Sequence, residues 1–120
     1  MTDPTRRSIA FIVGNILNKR TSTAVYDYSC SRHFIFSFNA TSTTITAYDY
    51  TEGCHIQGNS NNNSFSLFHY GNGSHITFTI NGNNFNGYDY NSSKHFSGSV
   101  NGKSISIYDY DHSKHFSYSI

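Results

Sequence analysis

A thiol at Cys54, an imidazole at His69 and carboxylates at Asp49 and Asp89 are the residue types of a nucleophilic centre. A neighbouring imidazole lowers a thiol pKa toward neutrality, and a carboxylate that orients the ring completes the arrangement. In that chemistry Cys54 is the nucleophile, His69 the base and Asp49 the orienting group. A second constellation is larger. Histidines stand at His33, His55, His75, His95 and His115, each five residues after a tripeptide Tyr-Asp-Tyr, or Phe-His-Tyr in the middle copy. Tyr26, Tyr48, Phe68, Tyr88 and Tyr108 open those tripeptides, so imidazoles and aromatic rings recur together as a candidate ligand-binding set.

Both constellations depend on what positions them, and their spacing answers that. Successive tripeptides are 22, 20, 20 and 20 residues apart, which is an internal repeat that fills residues 23–120. Within a unit, a run such as His95–Val100 meets Asn101-Gly102 and is followed by Ser104–Tyr110, the apolar-polar alternation around Asn-Gly that marks a two-residue hairpin. Asn81-Gly82 repeats the signal. Asn39-Ala40 and Asn61-Asn62 fill the same slot, with two extra residues in the first unit. Short strings of Ser, Gly, Asn and Thr link each tripeptide to the next histidine and read as turns. The expected fold is all-β with one N-terminal helix: a ten-stranded antiparallel meander of five ~20-residue hairpin repeats, rolled or closed into a barrel around or against the helix.

Period 2 assigns the faces. One face collects Val25, Phe34, Phe36, Phe38, Ile45, Ile56, Phe65, Leu67, Ile76, Phe78, Ile80, Phe85, Phe96, Val100, Ile105, Ile107, Phe116, Tyr118 and Ile120, and is the core face. The other carries the histidines, the Ser/Thr positions and both tyrosines of each Tyr-Asp-Tyr. Residues 1–22 form a separate segment in which Ile9, Ile12, Val13 and Ile16 fall at helical spacing, after Pro4 and before Lys19 and Arg20 at the end the helix dipole favours for cations. This amphipathic helix needs an apolar surface to cover, and the sheet offers one. Two arrangements satisfy the pattern. An even strand number lets the first and last strands pair and removes the exposed edges; otherwise an open sheet is covered by the helix and a second copy of the chain.

Taking Asn-Gly as the two hairpin-tip residues sets Val100 against Lys103, His95 against Tyr108, Lys94 against Asp109, Arg32 against Asp49, Cys54 against His69 and Ser74 against Asp89. Across the other turns Asp27 faces Arg32, Asp49 faces Cys54, His69 faces Ser74, Asp89 faces Lys94 and Asp109 faces Lys114. The result is a row of alternating charges along one sheet end, each opposed pair worth roughly 0.2–1 kcal/mol. The alternation breaks at Cys54, His69 and Ser74, where a thiol and an imidazole come opposite each other. No metal is expected: neighbouring histidines lie about 9–10 Å apart on alternate strands, too far to share one ion. The same spacing keeps Cys30 and Cys54 beyond the ~7 Å reach of a disulfide.

Composition narrows the function classes. Eight Lys/Arg against seven Asp/Glu give a net charge of +1, and 12% charged residues argues against a nucleic-acid partner bound by charge. No apolar run reaches the ~18 residues that cross a bilayer, so no membrane partner is expected. Two cysteines point to free thiols in the cytoplasm, with secretion as the alternative if residues 1–24 act as a signal peptide. The unit is similar in length and tyrosine content to cell-wall-binding repeats. Those carry tryptophan and a Gly-Trp signature; this chain has no Trp, so their choline or glucan binding is not carried over. No phosphate loop, nucleophile elbow or zinc-helix motif occurs, and no cofactor is called for. The expectation is a small non-enzymatic binding or assembly module that presents its Tyr/His face to a carbohydrate or small aromatic ligand, as a monomer or as a homo-oligomer. The alternative is a thiol-dependent enzyme using Cys54 and His69.

Overall fold

The computed structural model describes residues 1–19 and 22–120, so Arg20 of the expected helix end lies outside the described residues. Helix α1 runs Asp3–Asn18. Thr2 caps its start by accepting the Thr5 N–H at 3.3 Å, and Lys19 ends it in the left-handed conformation, φ 51°. Ten strands follow: β1 Ala24–Asp27, β2 Arg32–Ala40, β3 Thr44–Asp49, β4 Cys54–Asn61, β5 Ser64–His69, β6 Ser74–Asn81, β7 Asn84–Asp89, β8 Lys94–Asn101, β9 Ser104–Asp109 and β10 Lys114–Ser119. Each pairs antiparallel with its neighbours in sequence, and β1 pairs with β10 to close a barrel. Closure decides between the two arrangements. The apolar face is covered from within, and no second copy is needed to bury it.

The helix does not lie across the outside of the sheet. Every residue from Thr5 to Asn15 is buried, which a helix resting on one surface cannot achieve. It runs through the barrel, with Ile9, Ala10, Phe11, Ile12 and Val13 fully enclosed and Phe11 stacked on Phe36 at 4.7 Å. The expected apolar face is buried around it, Phe38 and Ile120 being half-buried at the rim. No helix among the described residues is long and apolar enough to cross a membrane.

The hairpin register differs from expectation. Val100 pairs with Ile105 rather than Lys103, Phe96 rather than Lys94 faces Asp109, and Ser97 rather than His95 faces Tyr108. Likewise Phe36 faces Asp49 in place of Arg32, Ile56 faces His69 in place of Cys54, and Ile76 faces Asp89 in place of Ser74. The cause is the turn. The β8–β9 loop is Gly102-Lys103, with only its first residue at positive φ, 61°, the primed turn that begins with Gly. Asn-Gly would occupy both tip positions only in the alternative turn, one residue earlier. The slip moves paired residues by an even number, so the inside and outside faces are unchanged.

The surface charge ladder is absent. Asp89 pairs in register with Lys94 and Asp109 with Lys114, yet no ion pair joins them among the described residues. Arg32, Lys94 and Lys114 remain in solvent, whereas Asp27, Asp49, Asp89 and Asp109 are at most 1% exposed. A long cationic side chain reaches water from a strand end; a short carboxylate turns toward the nearest donors, here the backbone N–H groups of its own turn. Asp27 accepts from Ser29 at 2.9 Å, Asp49 from Thr51 at 3.0 Å, Asp89 from Asn91 at 3.1 Å and Asp109 from Asp111 at 3.0 Å. The repeated aspartate is therefore a turn former on the core side of the sheet.

Two of these carboxylates also answer charges on the helix. Arg6 donates to Asp109 at 2.8 Å and to Tyr118 at 3.3 Å, and Arg7 lies 3.6 Å from Asp27. Burial works against the Asp109 anion, but hydrogen bonds from His112, the terminal ammonium and Arg6 outweigh it and hold its pKa below the ordinary value.

Close approach between strands fixes one glycine. A methyl group at Gly98 would sit 2.2 Å from the Ser106 carbonyl oxygen and 2.4 Å from Phe85 Cζ. Gly98→Ala is expected to destabilise the fold by about 1–3 kcal/mol, because a backbone oxygen cannot swing aside; urea unfolding at pH 7 measures it.

Candidate functional site

The outer surface carries the aromatic set in five near-identical copies. Across each turn a histidine pairs with the first aromatic residue of its tripeptide: His33 with Tyr26, His55 with Tyr48, His75 with Phe68, His95 with Tyr88 and His115 with Tyr108. Ring centroids in these pairs are 4.7–4.9 Å apart and edge to face. The second tyrosine of each tripeptide packs on the first at 4.7–4.9 Å. Each triad thus has a half-buried central ring, an exposed histidine and a tyrosine more than half exposed. Edge-to-face packing of this kind contributes about 0.5–1.5 kcal/mol per pair beyond area burial, so the triads stiffen the turns they flank.

Two triads border grooves on the outside of the barrel, Tyr108 and His115 a smaller one of about 360 Å³ shared with Asn84 and Asn86. Tyr88 and His95 border the larger, of about 540 Å³, with Asn59, Asn61, Thr77 and Asn86 along it. An aromatic wall beside several amides and hydroxyls combines one apolar surface with donors and acceptors that fix orientation. Period 2 alone could not single out this copy, although Asn86 and Gly87, both peculiar to its unit, line the groove.

Only part of the expected pairing of thiol, imidazole and carboxylate forms. Cys54 pairs with Asp49 and His69 with Ser74 across their turns, as expected, but Ile56 and not Cys54 faces His69. Cys54 nevertheless borders the same small space as His69, above Gly71: a methyl there would lie 2.9 Å from Cys54 Sγ and 3.0 Å from His69 Cε1. His69 is 3% exposed and takes the role of the aspartates, its Nδ1 accepting the Asn72 N–H at 3.3 Å. A ring that accepts at Nδ1 carries its proton on Nε2 when neutral, and that Nε2 is buried without a partner, as is Asp49 Oδ2. Burial pushes the Cys54 thiol pKa up, and Asp49 adds to the effect. Burial also pushes the His69 imidazole down, overcoming the pull of Asp49 and Asp89. Activation of a thiol by an imidazole needs both shifts in the opposite direction.

Sequence reasoning missed Arg6, Arg7 and Gly71. Part of the signal for the arginines was available: alternation already places Asp27 on the face of Val25, where a cation carried in by the helix can answer it. Asp109, Asp111 and His112 also cluster at this end, where the terminal ammonium and Arg6 already occupy Asp109.

Fold and site together define a closed ten-stranded barrel threaded by a helix and belted by aromatic triads. No protein-family model, curated protein or solved structure matches the chain.

Two measurements follow from the thiol and the imidazole. Cys30, exposed in its turn, is expected to alkylate several-fold faster than the half-buried Cys54 at pH 7, with no rise in Cys54 reactivity at pH 6, as read by mass spectrometry of both peptides. For His69 the folded pKa lies below the ordinary 6.5, so the unfolded chain takes up the proton first as pH falls. Stability from the neutral buried ring is complete above pH 6.5 and is lost as pH drops below it. Urea midpoints between pH 7 and 5.5 should fall for the native chain, and His69→Asn should remove this component.

Proposed function

We propose that the protein is a non-enzymatic binding module whose outer face takes a carbohydrate, with the groove beside Tyr88 and His95 as the principal seat. The observation that carries this reading is the juxtaposition there of an aromatic triad with Asn59, Asn61, Thr77 and Asn86. A pyranose has a flat C–H surface that packs on a tyrosine ring and a rim of hydroxyls that needs both donors and acceptors; amides supply both. The volume of about 540 Å³ falls within the usual range for small-molecule clefts. The remaining triads supply secondary contacts for a longer glycan. The directions of the Cys54 and His69 shifts weigh against the thiol-enzyme alternative. Two free cysteines agree with a reducing, cytoplasmic setting.

Calorimetric titration with soluble oligosaccharides of glucose, galactose, mannose and N-acetylglucosamine tests the reading. At least one is expected to bind, and Tyr88→Ala should weaken it about ten-fold, ~1.4 kcal/mol. Tyr48→Ala, the same triad away from the groove, should leave affinity within about two-fold. Binding by none of them, or equal loss in both variants, would remove the groove as the seat.

A further inference from the structure

Among the described residues, the barrel wall is incomplete at the end where the helix stops. Strand β1 has four residues and β2 has nine. Their pairing ends at Ala24 with Ile35, extended only by the Phe36 N–H to the Thr23 carbonyl at 3.0 Å. Beyond it, Ser37–Ala40 pair with β3 alone among the described residues, and β10 meets β1 through just Tyr26–Ser119 and Asp27–Tyr118. A cavity of about 730 Å³ lies at this end, between the last turn of α1 and the β2–β3 and β4–β5 hairpins.

Three independent features converge on it. The first is composition: Ile16, Phe38, Ile45 and Phe65 give an apolar lining, and Ile16 and Phe38 are left half-buried although they pack on the core. The second is the repeat. The two hairpins that border the cavity are the two that depart from Asn-Gly, one by two added residues and the other by Asn62, which holds φ 56° where later units use glycine. The third is charge. Lys19 is the one charged residue lining the cavity among the described residues, and no carboxylate faces it there. Some of the helix-end carbonyls that would repel an anion are already engaged: Lys19 N–H caps Asn15 and Ile16, and the Asn18 amide donates to Gly14 at 2.8 Å.

We propose that this end of the barrel binds a small amphipathic monoanion, with a ring system or acyl chain against Ile16, Phe38, Ile45 and Phe65 and its carboxylate or sulfonate at Lys19. The site meets the outer groove at Ser60 and Phe65, but its seat at Lys19 and Ile16 is distinct from Tyr88 and His95, so it is tested apart from the carbohydrate reading. Fluorescence titration of the intact chain with 8-anilinonaphthalene-1-sulfonate, and with uncharged N-phenyl-1-naphthylamine as its neutral analogue, tests it. One-to-one binding of both is expected, with decanoate displacing them. Lys19→Glu should weaken the sulfonate at least five-fold and leave the neutral analogue within two-fold. Ala40→Trp, which fills the rim, should abolish both without lowering the melting temperature, with Ser60→Trp as the second plug if the first unfolds. Tyr88→Ala should change neither. Absence of one-to-one binding, or affinities unaffected by Lys19→Glu and by a folded plug variant, would overturn the proposal.

Discussion

The interior of a ten-strand ring has to be filled. About eight strands is the number whose own inward side chains close the space; a wider ring leaves a channel. Helix α1 occupies that channel, and the demands on its sequence follow. Its middle must be apolar on all sides, as Ile9–Val13 is, and any charge it brings inside must find its opposite on the wall. Arg6 and Arg7 meet Asp109 and Asp27, and each guanidinium also lies over a ring, Arg6 at 3.6 Å from the centroid of Phe116 and Arg7 at 3.7 Å from that of Phe34. Such buried pairs add little net stability over an apolar pair of equal volume, while a single broken one is costly. Their effect is to fix the rotation of the helix, since turning it would leave two cations and two anions buried apart.

The helix sits against one side. It packs on β8, β9, β10, β1 and β2, and the opposite wall closes on its own rings. Phe65 stacks on Phe78 at 4.9 Å, and Phe96 stands 6.4–6.5 Å from Phe78 and Phe85. Gly58 and Gly87 fall on this same wall and Gly98 beside it on β8; at each, a Cβ would strike a carbonyl oxygen of the adjacent strand. The same asymmetry accounts for His69. Asp49 and Asp89 flank it on β3 and β7, and neither has a cationic partner among the described residues because the helix arginines face the other side. A third buried carboxylate between them would add like-charge repulsion with nothing to offset it. An imidazole held neutral by burial accepts the turn N–H as the aspartates do, without the charge. The break in the repeat, which reads in the sequence as a candidate active site, is an electrostatic consequence of where the helix lies.

The strand count and the faces were legible because they depend on period and parity, which survive small errors of register; closure was one of two arrangements the even strand number left open. The hairpin tips were not legible. Asn101-Gly102 is compatible with two turns one residue apart, and the choice between them moves every cross-strand partner while leaving each side chain on its face. The direction of the aspartates was half legible: alternation placed Asp27 beside Val25, but the opposite charge of Arg32 suggested a surface pair. Backbone donors inside a turn are fixed and near, whereas a solvated Arg or Lys gains little from an exposed partner, so the turn wins. The route of the helix lay beyond the sequence, since Arg6 and Asp109 are far apart in the chain and nothing local joins them.

What the fold requires and what it leaves free can be separated by asking which features are identical in all five units. The inward aspartate or its histidine stand-in, the four-residue turn and the Tyr/His triad recur with centroid distances that agree within 0.2 Å, so the architecture alone explains them. Features confined to one or two units are different. The groove beside Tyr88 and the cavity beside Lys19 arise where the ring departs from symmetry, the first through the coiled, glycine-bearing wall and the second through the short β1. A symmetric barrel would present five equivalent weak surfaces and no deeper concavity at one end. Accommodating a single off-centre helix makes the surfaces unequal, and the two concavities lie where that inequality is greatest.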